Sequence, residues 1–233
     1  LRDAFELDGG YVKGGGLLFD DGEVKPVIGA LWGGAIGPGR LMIGGNIQGR
    51  YNPKKKSSFR YENEDGVPEF DNREDQDDTR SGTDKSFNAS YGLDLGSTRF
   101  ELNGFYVRTD RTEHERSREF EDETAEDGPI GGGGSLLSDR DQFEDIDQDN
   151  YSIDGKVRHE WSLGKTTLKV GYSRFREDIQ ATEVAVDFDV DIEDGEGPEF
   201  EIERTLQDIK DSEFSIGLDH SFPLGNKINL VVG

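Results

Sequence analysis

The sequence predicts an all-β chain: an antiparallel sheet of about nine long strands joined by alternating short and long connections. Three observations predict it. From Tyr151 to Leu163 the odd positions are Tyr, Ile, Gly, Val, His, Trp and Leu, and the even ones are Ser, Asp, Lys, Arg, Glu and Ser. That is the period of two of a strand with one apolar and one polar face. The same hairpin recurs, with short turns at Gly37–Gly39, Gly96–Ser97, Leu163–Gly164 and Leu224–Gly225. The strands also run to roughly 20 residues, where soluble sheets have a mode near 5–6.

The elements follow in order. A first strand is expected over Asp3–Lys13, with Phe5, Leu7, Gly9 and Tyr11 on one face. Gly14-Gly15-Gly16 and Asp20-Asp21-Gly22 read as a loop. A second strand, Glu23–Ile36, aligns Val24, Ile28, Ala30 and Trp32. A third runs from Arg40 to about Tyr61 and turns polar at Lys54-Lys55-Lys56. Residues 62–84 read as an acidic loop. The fourth strand is Lys85–Leu95 and the fifth Thr98 to about Phe120. A second loop is expected from about Glu121 to Asp149, containing Gly131–Gly134. The hairpin at Tyr151 supplies strands six and seven, the latter reaching about Thr182. A third loop covers Asp187–Pro198. Strand eight ends with Phe214, Ile216, Leu218, His220 and Phe222 on one face, and a ninth runs over Lys227–Gly233.

Composition narrows the class. The 233 residues carry a formal charge of -24, which disfavours nucleic acid, whose phosphates need a basic surface. Cysteine is absent, so neither disulfides nor thiolate metal sites occur. No apolar run reaches the ~18 residues of a membrane helix. A hydrophobic fraction of 31% usually signals solubility. In a transmembrane barrel, however, only every second strand residue need be apolar.

Two arguments favour the membrane. A soluble barrel of so many long strands would enclose more space than its side chains could fill. Aromatics also cluster where the apolar faces end. Trp32, Phe100, Trp161 and Phe222 lie near the short turns; Tyr51, Phe87, Tyr106, Tyr151, Tyr172 and Phe214 lie nearer the long loops. Two such bands match the interfacial girdles of an outer-membrane barrel. Backbone polar groups in a bilayer must pair within the protein, so the strands must belong to a closed barrel. The expected fold is therefore an antiparallel transmembrane β-barrel wall, with short periplasmic turns and long acidic extracellular loops. All of 1–233 belongs to that one domain, a partial barrel, because nine is odd. No signal peptide is visible and the chain does not begin with Met, so it reads as a piece of a longer protein or a processed chain.

The stretch GRLMIGGNIQGRYNPKKKSSFRYE (Gly39–Glu62), the acidic segment after it, and the hairpins LDLGSTRFELNGFYVRT and RHEWSLGKTTLKVGYSRFRED resemble the barrel region of a TonB-dependent receptor. The resemblance implies a 22-stranded barrel closed by an N-terminal plug, located in the outer membrane of a Gram-negative bacterium. It implies active uptake of a ferric siderophore, cobalamin, haem or an oligosaccharide. Implied partners are outer-membrane lipid and lipopolysaccharide, a small-molecule ligand, and TonB acting through a plug. Neither plug nor TonB-contacting segment is found in these residues. A non-transporting barrel displaying acidic loops for adhesion or assembly, and a passive porin, are the alternatives.

Candidate sites are few. His159 and His220 occupy matching places before short turns, on the apolar face, and read as interfacial rings rather than metal ligands. His114 stands among charges and reads as solvated. Asp187, Asp189 and Asp191, and Asp145, Asp147 and Asp149, offer oxygen ligands for loop-bound calcium, although neither set has the EF-hand pattern. No other cofactor is expected. Lys54-Lys55-Lys56 suits contact with lipopolysaccharide or with acidic loops. Gly131–Gly134 lacks the Lys-Ser/Thr of a phosphate loop. No residue set has the spacing of a catalytic constellation, so no enzyme activity is expected.

Overall fold

In a computed structural model of the chain, the described residues are 7–123, 136–188, 197–224 and 228–232. They form one nine-stranded antiparallel sheet whose spatial order is the sequence order. The strands are β1 (Gly9–Leu18), β2 (Val24–Ile36), β3 (Gly39–Glu64), β4 (Val67–Leu95), β5 (Thr98–Phe120), β6 (Leu136–Trp161), β7 (Gly164–Asp187), β8 (Glu199–Leu224) and β9 (Ile228–Val232). No helix occurs among the described residues. Each strand pairs with its sequence neighbours, so the sheet is a meander; among the described residues β1 and β9 do not meet, and the sheet is not closed.

The register has a regular slant. Ala30, Gly45, Phe87, Tyr106, Tyr151, Arg174 and Ser212 make one cross-strand row. From that row to the short-turn end is six residues in β2 (Ile36), eight in β4 (Leu95), ten in β6 (Trp161) and twelve in β8 (Leu224). The ends therefore step by one residue per strand. The opposite ends do not: Val24, Glu64, Phe120 and Asp187 lie six, nineteen, fourteen and thirteen residues from the row. One rim is even and the other is ragged.

The strands near the even rim match the alternation read from the sequence. Beyond it, four expectations are corrected. Of the expected first strand, residues 3–6 lie outside the described residues; β1 covers Gly9–Leu18, so Gly14-Gly15-Gly16 is strand, paired with Ile28, Val27 and Pro26. A backbone ladder needs no side chain, so β2 serves as its template. The acidic loop over 62–84 is a hairpin whose turn is only Asp65-Gly66. Both turn residues have positive φ, 50° and 86°, as a two-residue hairpin turn matching strand twist requires. Likewise Leu136–Asp149 is strand β6. The central part of the second expected loop, residues 124–135 with Gly131–Gly134 among them, lies outside the described residues. Finally, β7 runs on to Asp187, past Thr182.

The physical reason is charge pairing. Across β3 and β4, Lys54 pairs with Asp78 at 3.9 Å, Lys55 with Asp77 at 3.4 Å and Arg60 with Glu74 at 2.9 Å. Across β5 and β6, Arg116 meets Asp139 at 2.6 Å. Lys54 and Lys55 face their partners directly across the ladder, and Arg60 and Arg116 reach theirs diagonally. Opposite charges so placed stabilise the pairing, so acidic stretches become strand once a basic neighbour is in register. The basic run Lys54–Lys56 thus divides between both sheet faces. Tyr51 anchors the β1–β2 turn: its ring packs edge-on against Phe19 at 5.0 Å and its hydroxyl donates to Asp21.

Candidate functional site

Paired residues share a face, so the register sorts every strand into two faces. On one, the belt face, side chains between the even rim and the row of Phe87, Tyr106 and Tyr151 are almost all apolar. All eight interface candidates lie on it. Counted from the short-turn end of each strand, Trp161 is terminal, Phe100 and Phe222 are two residues in, and Trp32 is four. Tyr106 and Tyr172 are eight in, Tyr151 ten and Tyr51 twelve, with Phe87 and Phe214 at eight and ten. The slant of the sheet therefore aligns them as two bands.

Between the bands the apolar side chains are exposed: Leu102 is 50% accessible, Ile153 50% and Ile216 69%. Among the described residues only two large apolar side chains are buried, Phe120 and Ile146, and both lie outside the belt. A soluble fold puts its apolar residues in a core, whereas here the sheet displays them as a contiguous band. No helix among the described residues is long and apolar enough to cross a membrane.

The opposite face is polar over the same span. Ser90 Oγ donates to Asn103 Oδ1 at 2.7 Å, and Asn103 Nδ2 donates to Asp154 at 2.9 Å, linking β4, β5 and β6. Lys156 pairs with Glu101 at 2.9 Å, and Lys169 with Asp219 at 2.9 Å. Phe105 and Val107 also lie on this face, opposite Asn88 and Ser86.

The histidines repeat a device at the even rim. Thr98 Oγ1 lies 2.6 Å from His159 Nδ1, and Thr166 Oγ1 lies 2.7 Å from His220 Nδ1. Each ring packs at a steep angle against the next aromatic of its own strand, His159 against Trp161 and His220 against Phe222, both with centroids 4.1 Å apart. Thr166 also accepts from Trp161 Nε1 at 2.8 Å. His114 is exposed, as expected, and has partners on β6: its Nε2 lies 2.6 Å from Asp141 Oδ1, and its ring lies near that of Phe143.

Outside the outer aromatic band stand two rows of charge that the sequence reading missed. The first contains Lys85, Arg108, Asp149, Arg176 and Lys210; the second contains Asp110, Asp147, Asp178 and Asp208. Lys85 pairs with Asp110 at 2.8 Å, Arg108 with Asp110 at 2.7 Å, and Arg176 with Asp178 at 2.8 Å. The signal was present: Tyr106-x-Arg108-x-Asp110 on β5 is an aromatic, a base and an acid on one face. On β8, Asp208-x-Lys210-x-Ser212-x-Phe214 runs the same way in reverse.

The calcium candidates divide. Asp145, Asp147 and Asp149 share one face of β6, with the Arg108 guanidinium 3.1 Å from Asp147 and 3.6 Å from Asp149. The lysine bond from Lys85 holds the Asp110 carboxyl below its ordinary range. Burial, then the neighbouring Asp110, pushes Asp147 up. Asp187 ends β7 opposite Ser138 and Glu199, and Asp189 and Asp191 lie outside the described residues. Among the described residues no group of three His, Asp or Glu side chains converges on a point a metal could occupy.

Compared with protein-family models, curated protein sequences and solved structures, the chain matches none.

Proposed function

We propose that the chain is part of the wall of an outer-membrane β-barrel that takes up a scarce nutrient. The observation that carries the membrane reading is the belt: an exposed apolar band between two aromatic bands, backed by a polar face. The slant supports it. A stagger of one residue per strand, with ~3.3 Å per residue and ~4.8 Å between strands, corresponds to a strand tilt of roughly 35°. Transmembrane barrels tilt by ~35–45°. The even rim suits periplasmic turns and the ragged rim the extracellular side, with the polar face lining a lumen.

Active uptake driven through TonB rests on the sequence resemblance, with ferric siderophores, cobalamin, haem and oligosaccharides as the substrate classes. The test is uptake of fluorescent members of each class by cells carrying the protein, with and without TonB. Uptake that is lost without TonB supports this function; uptake that is unchanged makes the barrel passive. The second reading is a display platform for adhesion or assembly. It is favoured by the ion-paired hairpins that run thirteen to twenty residues beyond the central row. No uptake of any class, together with cell adhesion abolished by trimming those hairpins, would select it.

A further inference from the structure

A groove crosses the belt face between β1 and β4. Its lower part, about 510 Å³, is lined by Val12, Trp32 and Ile43 among others. Its upper part, about 420 Å³, is lined by Ile28, Ile47, Tyr106 and Lys85 among others. The two share Ala30, Gly45 and Phe87, so they are one channel, floored by small residues and walled by large ones. From the Trp32 row to the Lys85 row is four residues, or ~13 Å along the strands.

The chemistry changes at the outer end. Lys85 lines the mouth and stands opposite Arg108 on β5. On its other side is Ile47, which carries no charge. The carboxylate that both cations share, Asp110, lies one row further out. The ammonium is therefore the charged group nearest the apolar channel, half exposed and held by one shared acid.

We propose that this groove seats a lipid whose headgroup is a phosphate with net negative charge, in preference to a zwitterionic one, with one acyl chain lying along Ala30 and Gly45 and the phosphate on Lys85. An aliphatic chain fills a channel whose floor has almost no side chains, and a phosphodiester gives Lys85 a second anion at the level where headgroups begin. The proposal rests on the membrane reading above and goes beyond it, since a plain lipid-facing wall needs no preferred lipid.

The chain's two tryptophans make the test, because Trp32 lines the groove and Trp161 lies at the even rim four strands away. Single-tryptophan proteins, W161F and W32F, are placed in phosphatidylcholine bilayers. Brominated phosphatidylglycerol or brominated phosphatidylcholine is added at the same low mole fraction. The expected result is that Trp32 is quenched roughly fivefold more effectively by the anionic lipid, the preference one lysine confers at a membrane surface. Trp161 shows no such preference. Lys85→Gln abolishes the preference, and Ala30→Leu, at an exposed position, weakens Trp32 quenching without altering that of Trp161. Equal quenching of Trp32 by both lipids overturns the lipid site and leaves the barrel wall standing. Absence of quenching at both tryptophans by either lipid overturns the membrane reading itself.

Discussion

The Tyr106 hydroxyl donates to Asp149 Oδ1 at 2.6 Å, across β5 and β6. Tyr106 belongs to the outer aromatic band and Asp149 to the first charged row, so this bond ties the edge of the belt to the charge beyond it. Tyr106→Phe keeps the ring and removes the bond. Its expected cost is about 1 kcal/mol in urea unfolding in micelles. In a double-mutant cycle with Asp149→Asn the two losses are expected to be less than additive. Full additivity would mean that the bond contributes nothing.

The turn at Asp65-Gly66 makes a local prediction. A residue with a side chain at Gly66 must hold a φ of 86°, which only glycine adopts without cost. Gly66→Val is expected to cost ~1–2 kcal/mol, confined to the hairpin tip. Amide exchange should speed up at the flanking residues Asn63 and Val67 and remain unchanged at Ala89. Global acceleration would place the turn in the cooperative unit and contradict the prediction.

The paired aspartates Asp110 and Asp147 are expected to act with opposite sign. Asp110 is held below its ordinary 3.8, so its charged form favours the fold above that pH. That contribution disappears as pH falls through its lowered value. Asp147 is raised above 3.8, so its charge opposes the fold once pH climbs past the raised value, and the penalty is absent below 3.8. At pH 7, Asp110→Asn should therefore lower the unfolding midpoint, while Asp147→Asn should leave it unchanged or raise it. Equal losses for both variants would contradict the assignment.

What could be read from the sequence divides at the outer aromatic band. Inside it, Phe100 and Leu102 alternate with Arg99, Glu101 and Asn103, and apolar periodicity places the strands. Outside it, charged residues stand on both faces and apolar ones are scattered between them, with no regular period. Lys55 opposite Asp77 and Arg118 opposite Asp139 become strand signals only when the register is known. The Asp65-Gly66 pair was the one local clue to that hairpin. The aromatic bands were legible because each member is large and amphipathic. The slant that aligns Tyr51 with Tyr151 was not, because it accumulates over the three successive registers from β3 to β6. The groove at Ala30, Gly45 and Lys85 was hidden for the same reason.

The two faces make opposing predictions at neighbouring residues. Leu102 is on the belt and Asn103 on the polar face. Leu102→Lys is expected to cost ~2–4 kcal/mol, as a charge at mid-membrane does, and Asn103→Lys only about 1 kcal/mol, for the Ser90 hydrogen bond it gives up. In a water-exposed sheet Leu102→Lys would be nearly free, because the side chain is already half exposed.

The central claim is that one face of this sheet meets lipid. Because the chain has no cysteine, single cysteines can be placed at will along β6 and spin-labelled. Collision rates with oxygen, which partitions into lipid, and with a water-soluble nickel chelate are then measured in bilayers for residues 153–158. The account predicts a period of two. Labels at Ile153, Gly155 and Val157 collide with oxygen, and labels at Asp154, Lys156 and Arg158 collide with nickel. Nickel access at all six positions would contradict it.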